Sequence, residues 1–191
     1  DPRIVPEAKK LTEICYEEML EMATYGAKMI HPRAVELGEI FNVPILVASS
    51  FTNSPGTLIH GGISMELRNR VRGIAHDFDV AKITVVGVPD RPGIAAAIFQ
   101  PLAVSGVSVD TIVQNASINN ITDLTFTIAR SQLQKAMAIT ENVAKQIGAA
   151  SCSCDAKLGK VSIIGTGMQN APGYAAQMFT TLFEQNINIQ M

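Results

Sequence analysis

Ala81-Lys82-Ile83-Thr84-Val85-Val86-Gly87 is written a second time as Gly159-Lys160-Val161-Ser162-Ile163-Ile164-Gly165. After a turn the match resumes: Pro92-Gly93 is answered by Pro172-Gly173, Ala95-Ala96 by Ala175-Ala176, Phe99 by Phe179, Leu102 by Leu182 and Val107 by Ile187, the second turn being longer by two residues. Such a repeat fixes the architecture before any motif is weighed, because each copy is one supersecondary unit. In the first copy Ile83 and Val85 alternate toward Gly87, and Pro89-Asp90-Arg91-Pro92-Gly93 reads as a turn. A helix stripe follows at Ala95, Ile98, Phe99 and Leu102, closed by Gly106. Val107, Val109, Thr111 and Val113 predict one face of a strand, and Leu124, Phe126 and Ile128 one face of the next. Ser131 is expected to cap a helix with the stripe Leu133, Ala136, Met137, Thr140, Val143, Ala144 and Ile147, ended by Gly148. A last strand runs through Ala150, Cys152 and Cys154. The order βαββαβ is the ferredoxin-like arrangement, an antiparallel sheet with two helices on one face. The second copy stops inside its second strand.

Toward the amino end the pattern changes. Tyr16 to Thr24 is rich in Glu, Met, Leu and Ala, with Gly26 as a stop, and predicts a first helix. Pro32 opens a second, with the stripe Ile30, Ala34, Leu37 and Phe41. Ile45-Leu46-Val47-Ala48 reads as a short buried strand, and Asn53-Ser54-Pro55-Gly56 as a turn behind it. Helix, helix, strand is a piece of a larger α/β domain. Thr57 to Arg72, including Met65-Glu66-Leu67-Arg68-Asn69-Arg70, has no long period, so the boundary falls there. The expected division is 1–57, 58–80 as a linker with a first regulatory strand, 81–157, and a truncated 158–191.

The repeated turn carries the chemistry. A strand that ends in Pro-Gly and opens a helix exposes the helix's first N–H groups, which suit a carboxylate or phosphate. Asp90 beside them accepts from an ammonium group, and the neighbouring strand brings Asp110, Gln114 and Asn115. A carboxylate site beside an ammonium site describes a free amino acid.

These stretches resemble paired ACT domains, the amino-acid-sensing modules of biosynthetic enzymes, and in particular the regulatory half of aspartate kinases. The residues that carry the resemblance are Ala81 to Gly93, Val109 to Asn115, Thr122 to Thr127 and Gly159 to Gly173. The head agrees independently: Asp1-Pro2-Arg3, Tyr16-Glu17-Glu18-Met19-Leu20-Glu21-Met22, Gly26-Ala27-Lys28, Ser49-Ser50-Phe51 and Pro55-Gly56-Thr57 resemble the end of that family's kinase domain. The fold so implied is the C-terminal part of an amino-acid-kinase α/β domain followed by tandem ferredoxin-like ACT domains, the second incomplete. The activity implied is ATP-dependent phosphorylation of the aspartate side-chain carboxylate, with Mg2+, feedback-inhibited by lysine, threonine or both. Carried over, Asp1, Pro2, Arg3 and Lys28 lie at the nucleotide. The effector residues are Asp90, Arg91, Pro92, Gly93, Ile94, Ala95, Ser108, Val109, Asp110, Gln114 and Asn115 in the first copy. In the second they are Met168, Gln169, Asn170, Tyr174, Ala175, Ala176, Asn188 and Ile189, and effector sites are expected to pair across a domain interface. The implied assembly is a homo-oligomer, or a hetero-oligomer of long and short subunits, formed through ACT domains. The sequence departs from the family where Cys15 stands in place of a capping Ser, which predicts a weaker helix start, and where Ala48 stands in place of a basic residue. The Lys-aromatic-Gly-Gly segment that opens the family's kinase domain is absent, so these residues alone are expected to be inactive.

Composition frames these readings. The 191 residues are 47% hydrophobic with a net charge of −2 and scattered Lys and Arg, which argues against nucleic-acid or anionic-membrane partners. Three cysteines without repeated spacing, and the lack of a signal peptide or a long apolar run, point to the cytoplasm. Asp1-Pro2-Arg3 reads as the interior of a chain, and Met191 interrupts the alternation of Ile187 and Ile189, so a fragment is expected. Gly165-Thr166-Gly167 lacks the third glycine of a dinucleotide fingerprint and reads as the effector turn of the second copy, while His31, His60 and His76 with the cysteines show no metal spacing and read as buried or idle. The eight methionines read as core filler. Two other readings stay open: an ACT-type binding module attached to something other than a kinase, and a purely oligomerising unit.

Overall fold

The computed structural model describes residues 4–62, 71–168 and 172–191. The chain divides into two compact units, one formed by 1–76 with 161–191 and the other by 77–160.

The unit 77–160 has the elements β5 (Ala81–Pro89), α3 (Ile94–Val104), β6 (Val109–Gln114), β7 (Ile121–Ile128), α4 (Leu133–Ile147) and β8 (Ser151–Asp155). Its four strands lie in the order β6-β7-β5-β8, all antiparallel, which is the βαββαβ arrangement that the repeat predicts. Ile83, Val85, Leu124, Phe126 and Ile128 on the sheet meet Ile98 and Leu102 of α3 and Ala136, Val143 and Ala144 of α4 in one core. Phe99 closes it edge-on against Phe126, ring centroids 5.3 Å apart.

Four local expectations give way here. Gly87 does not end its strand: β5 runs on to Pro89 through a bulge between Val85 and Val88, with Gly87 at φ 67° and its N–H donating to Asp123 Oδ1 at 2.9 Å. A second bulge lies in β6, where Val109 faces Ile128 but Ile112 faces Phe126. The extra residue switches the alternation, so Val113 leaves the face of Val109, and Gln114, opposite Leu124, takes its place. Ala95, expected in the helix stripe, is exposed, and Ile94 is buried instead. Ser131 does not cap α4: a 3-10 turn over Arg130–Gln132 leads in, and no side chain caps the helix.

The other unit opens with β1 (Glu13–Ile14), α1 (Tyr16–Thr24), α2 (Pro32–Ile40), β2 (Ile45–Val47) and β3 (Thr57–Ile59). β3 pairs in parallel with β1 and antiparallel with β2, so the sheet of the head runs past residue 57. Cys15 precedes α1 without a side-chain cap hydrogen bond, the weak start that its replacement of Ser predicts. His31 is not idle, since its Nδ1 accepts the Arg33 N–H and caps α2, and His60 pairs with Glu13 at 3.1 Å. The buried positions of α2 are Val35 and Gly38, whereas Ala34, Leu37 and Phe41 are exposed. Gly38 lies so close to β2 that an added Cβ would meet Ile45 Cδ1 at 2.7 Å, a contact invisible to a hydrophobic count. Leu46 is 61% exposed, so β2 is buried on one face only.

The same unit holds α5 (Tyr174–Glu184) and all but the boundary residues Asp77 and Lys160 of β4 (Gly73–Asp77) and β9 (Lys160–Ile164). β4 pairs with β9, and the Arg72 N–H donates to Ile164 O at 2.8 Å. A strand written before the first repeat therefore serves the second, so the first repeat is inserted in the chain between two paired strands.

All three cysteines are free. Burial first, then the charge of Glu141 and the neighbouring Cys154, pushes the Cys152 thiol up to about 11, and burial also raises Cys15. Alkylation with iodoacetamide at pH 8 should therefore label exposed Cys154 and spare the other two, with Cys152 labelling only as the pH approaches 11. Peptide mass mapping checks this, and fast labelling of Cys152 at pH 8 would contradict the assigned burial.

Candidate functional site

The repeat is geometric as well as textual. Gly93 at φ 92° and Gly173 at φ 104° precede α3 and α5, each 11 residues long. Gly93 O accepts from Ala97 N and Gly173 O from Gln177 N, both at 2.9 Å. Both helices also end alike: Val107 N donates to Leu102 O and Ile187 N to Leu182 O, both at 2.9 Å, with Gly106 and Asn186 in the left-handed region. An added Cβ on Gly93 or Gly173 would meet no atom within 4 Å, so backbone geometry, and not crowding, favours glycine there.

At the amino end of α3 lies a concavity of about 480 Å³ lined by Val88 to Ala95 with Gln114, Thr122 and Leu124, within the usual range for small-molecule sites. No side chain caps α3, and helix geometry leaves the N–H groups of Ala95 and Ala96 without intrahelical acceptors. Each bulge contributes one wall: the first brings Val88 opposite Thr122, the second brings Gln114 opposite Leu124. Asp90 is exposed at the rim, its N–H held by Asn120 O at 2.8 Å. Thr122 is buried and donates to Asn115 O at 2.8 Å.

Of the residues expected to hold an effector in the first copy, Asp90, Arg91, Pro92, Gly93, Ile94, Ala95 and Gln114 come together here. Ser108, Val109 and Asp110 do not line the concavity; Asp110 is ion-paired with Lys160. Asn115 lies in a neighbouring depression with Ile118 and Asp123. Val88, Thr122 and Leu124 line it too: the β5 bulge, marked in the sequence only by Gly87, sets Val88 opposite Thr122, and Thr122 and Leu124 share one face of β7. In the second copy Met168 ends a 3-10 turn (Thr166–Met168), Tyr174 opens α5 with exposed Ala175 and Ala176 behind it, and Asn188 and Ile189 are exposed beyond the helix. Gln169 and Asn170 lie outside the described residues, as do Asp1, Pro2, Arg3 and the stretch Met65 to Arg70. Lys28 is exposed in the turn between α1 and α2. Among the described residues, no cluster of His, Cys, Asp or Glu could hold a metal ion, and no helix is long and apolar enough to cross a membrane.

Residues 83–142 and 161–191 match the ACT domain, and residues 1–49 the amino acid kinase family. An aspartate kinase of Pseudomonas putida is 47% identical over the whole of this chain, which spans 47% of that relative. The regulatory subunit of aspartate kinase from Thermus thermophilus, solved free of ligand, is 36% identical, with a TM-score of 0.61; the match covers 64% of this chain and 81% of that one. This chain belongs to the aspartate kinase family. It spans about half the length of the curated aspartate kinases it matches. Aspartokinase III of E. coli, solved with lysine and aspartate, is 26% identical over the whole of this chain and 42% of its own, with a TM-score of 0.72. Within the aspartate kinase frame, α1 and α2 belong to the kinase-family segment, and the concavity at α3 belongs to the ACT match.

Proposed function

We propose that this chain is the effector-sensing part of an aspartate kinase, and that lysine, threonine or both are its effectors. The observation that carries the reading is the uncapped amino end of α3 in a concavity with Asp90 and Gln114, its backbone repeated at α5. A free amino acid presents a carboxylate and an ammonium on one carbon. Its carboxylate takes the N–H groups of Ala95 and Ala96, where a helix carries about half a positive elementary charge. Its ammonium faces the Asp90 carboxylate, and the Gln114 amide holds what remains polar. The lysine complex of the E. coli relative supports lysine as one effector.

The complete protein, on this reading, transfers the γ-phosphoryl group of ATP, with Mg2+, to the side-chain carboxylate of aspartate in the cytoplasm. Asp1, Pro2, Arg3 and Lys28 lie at the nucleotide, where basic side chains offset charge on the transferring group. ACT repeats join copies of the chain, or a longer and a shorter subunit; the separate regulatory subunit in Thermus thermophilus supports the second form. Effector binding favours an arrangement in which phosphoryl transfer is slow.

Calorimetric titration of the complete protein with lysine and threonine, separately and together, tests the binding step. Saturable binding is expected, weakened about 10- to 150-fold in Asp90→Ala, the equivalent of a charge-assisted hydrogen bond of about 1.5–3 kcal/mol. A folded protein that binds neither amino acid would sink the reading.

A further inference from the structure

We propose that Glu18 is a positioning residue that couples the kinase-family helix α1 to the turn of the second repeat. Glu18 sits on the buried face of α1 with Tyr16 and Met19 and is 1% exposed. Its two carboxylate oxygens have separate partners. Oε2 accepts from Arg72 Nε at 3.2 Å, and Oε1 from the Thr166 hydroxyl at 3.2 Å. Arg72 in turn donates from Nη2 to Glu13 O at 2.6 Å, which binds it to the strand just before α1.

The three residues come from three places in the chain. Glu18 lies in the stretch that matches the amino acid kinase family. Arg72 leads into β4, and Thr166 opens the turn between β9 and α5 inside the ACT match. That turn is the counterpart of the Asp90 to Gly93 turn in the first repeat. A carboxylate withdrawn from water needs its donors, because a buried charge that loses one is left unsatisfied. The position of the Thr166 turn is therefore felt at α1, and the position of α1 at the turn, whichever moves first. An effector that sets the turn biases the helix by the same free energy with which substrates at the kinase segment bias effector affinity. Glu18 touches neither ligand in this scheme; it transmits by holding one arrangement of both elements together. No distance along the sequence hints at the contact.

The inference rests on the effector reading above, and the experiment separates the two. In the complete enzyme, lysine and threonine affinities are measured by calorimetry with and without saturating aspartate plus a non-hydrolysable ATP analogue. The ratio of the two affinities is expected at about 5 to 150 in wild type, the usual span of allosteric coupling. In Thr166→Val, which keeps shape but lacks the hydroxyl, and in Glu18→Gln, the ratio should fall to within about twofold of one. In Glu18→Gln, effector affinity without substrates should stay within about threefold of wild type, since Glu18 lies on α1, outside the effector turn. A purely structural role would lower the melting temperature and leave the ratio unchanged. Coupling that persists in both variants would overturn the proposal, as would a wild-type ratio of one. A wild type that binds no effector would instead sink the effector reading and this inference with it.

Discussion

Arg72→Met is expected to lower stability by about 3–5 kcal/mol, the usual cost of removing one partner from a buried ion pair. The side chain of Glu18 is 2% exposed and that of Arg72 10%, so water cannot take over the lost interaction. Arg72 also donates to Glu13 O, and its loss strips β1 of that bond. The double variant Arg72→Met with Glu18→Leu should recover most of the loss, since both charges leave the interior together. Thermal unfolding of the four proteins completes the cycle. A single Arg72→Met variant that melts with wild type would show that the pair is not buried in the folded protein.

The second large effect is expected at Gly87. With φ at 67°, the residue occupies a region that costs a side-chain-bearing residue about 1–2 kcal/mol. An added Cβ would also stand 2.7 Å from Ala150 Cβ and 3.3 Å from Ala150 N. The Ala150 N–H is fixed to Val86 O at 2.9 Å, so that neighbour cannot yield freely. Overpacking of this kind adds about 1–3 kcal/mol. Gly87→Ala should therefore destabilise the unit 77–160 and, by distorting the bulge that sets Val88 opposite Thr122 at the concavity, weaken effector binding as well. Hydrogen exchange of the β5 and β7 amides, read beside calorimetry, checks both parts. Wild-type protection and wild-type affinity in Gly87→Ala would contradict the bulge as a site-forming element.

How much of this was legible in sequence follows from how local each signal is. The βαββαβ order, the α4 stripe ended by Gly148 and the paired Pro-Gly turns rest on periodicity and glycine placement, and the structure keeps them. The β6 bulge has no glycine to announce it, so simple alternation places Val113 on the face that Gln114 occupies in the structure. The hydrophobic stripe of α2 does not mark its buried face, because Gly38, a residue without a side chain, is the one pressed against β2. The chemistry of Ser131 suits a cap, but the intervening 3-10 turn moves the helix start to Leu133. At the site, the residues contiguous with the turn are legible in the sequence, whereas Thr122 and Leu124 reach it only through strand pairing. Glu18 read as one letter of a helical run. Its partners at 72 and 166 are set by tertiary folding, and only a charge on the apolar face between Tyr16 and Met19 could have signalled it.

Inhibition of aspartate phosphorylation in the complete enzyme tests the central claim most directly, with rates measured against rising lysine, threonine and their mixture in wild type and in Asp90→Ala. The account predicts that the wild-type rate falls saturably with at least one of these, and that the half-inhibiting concentration rises at least about tenfold in Asp90→Ala. A wild-type rate that holds at saturating lysine plus threonine, or an Asp90→Ala enzyme inhibited at wild-type concentrations, would contradict it.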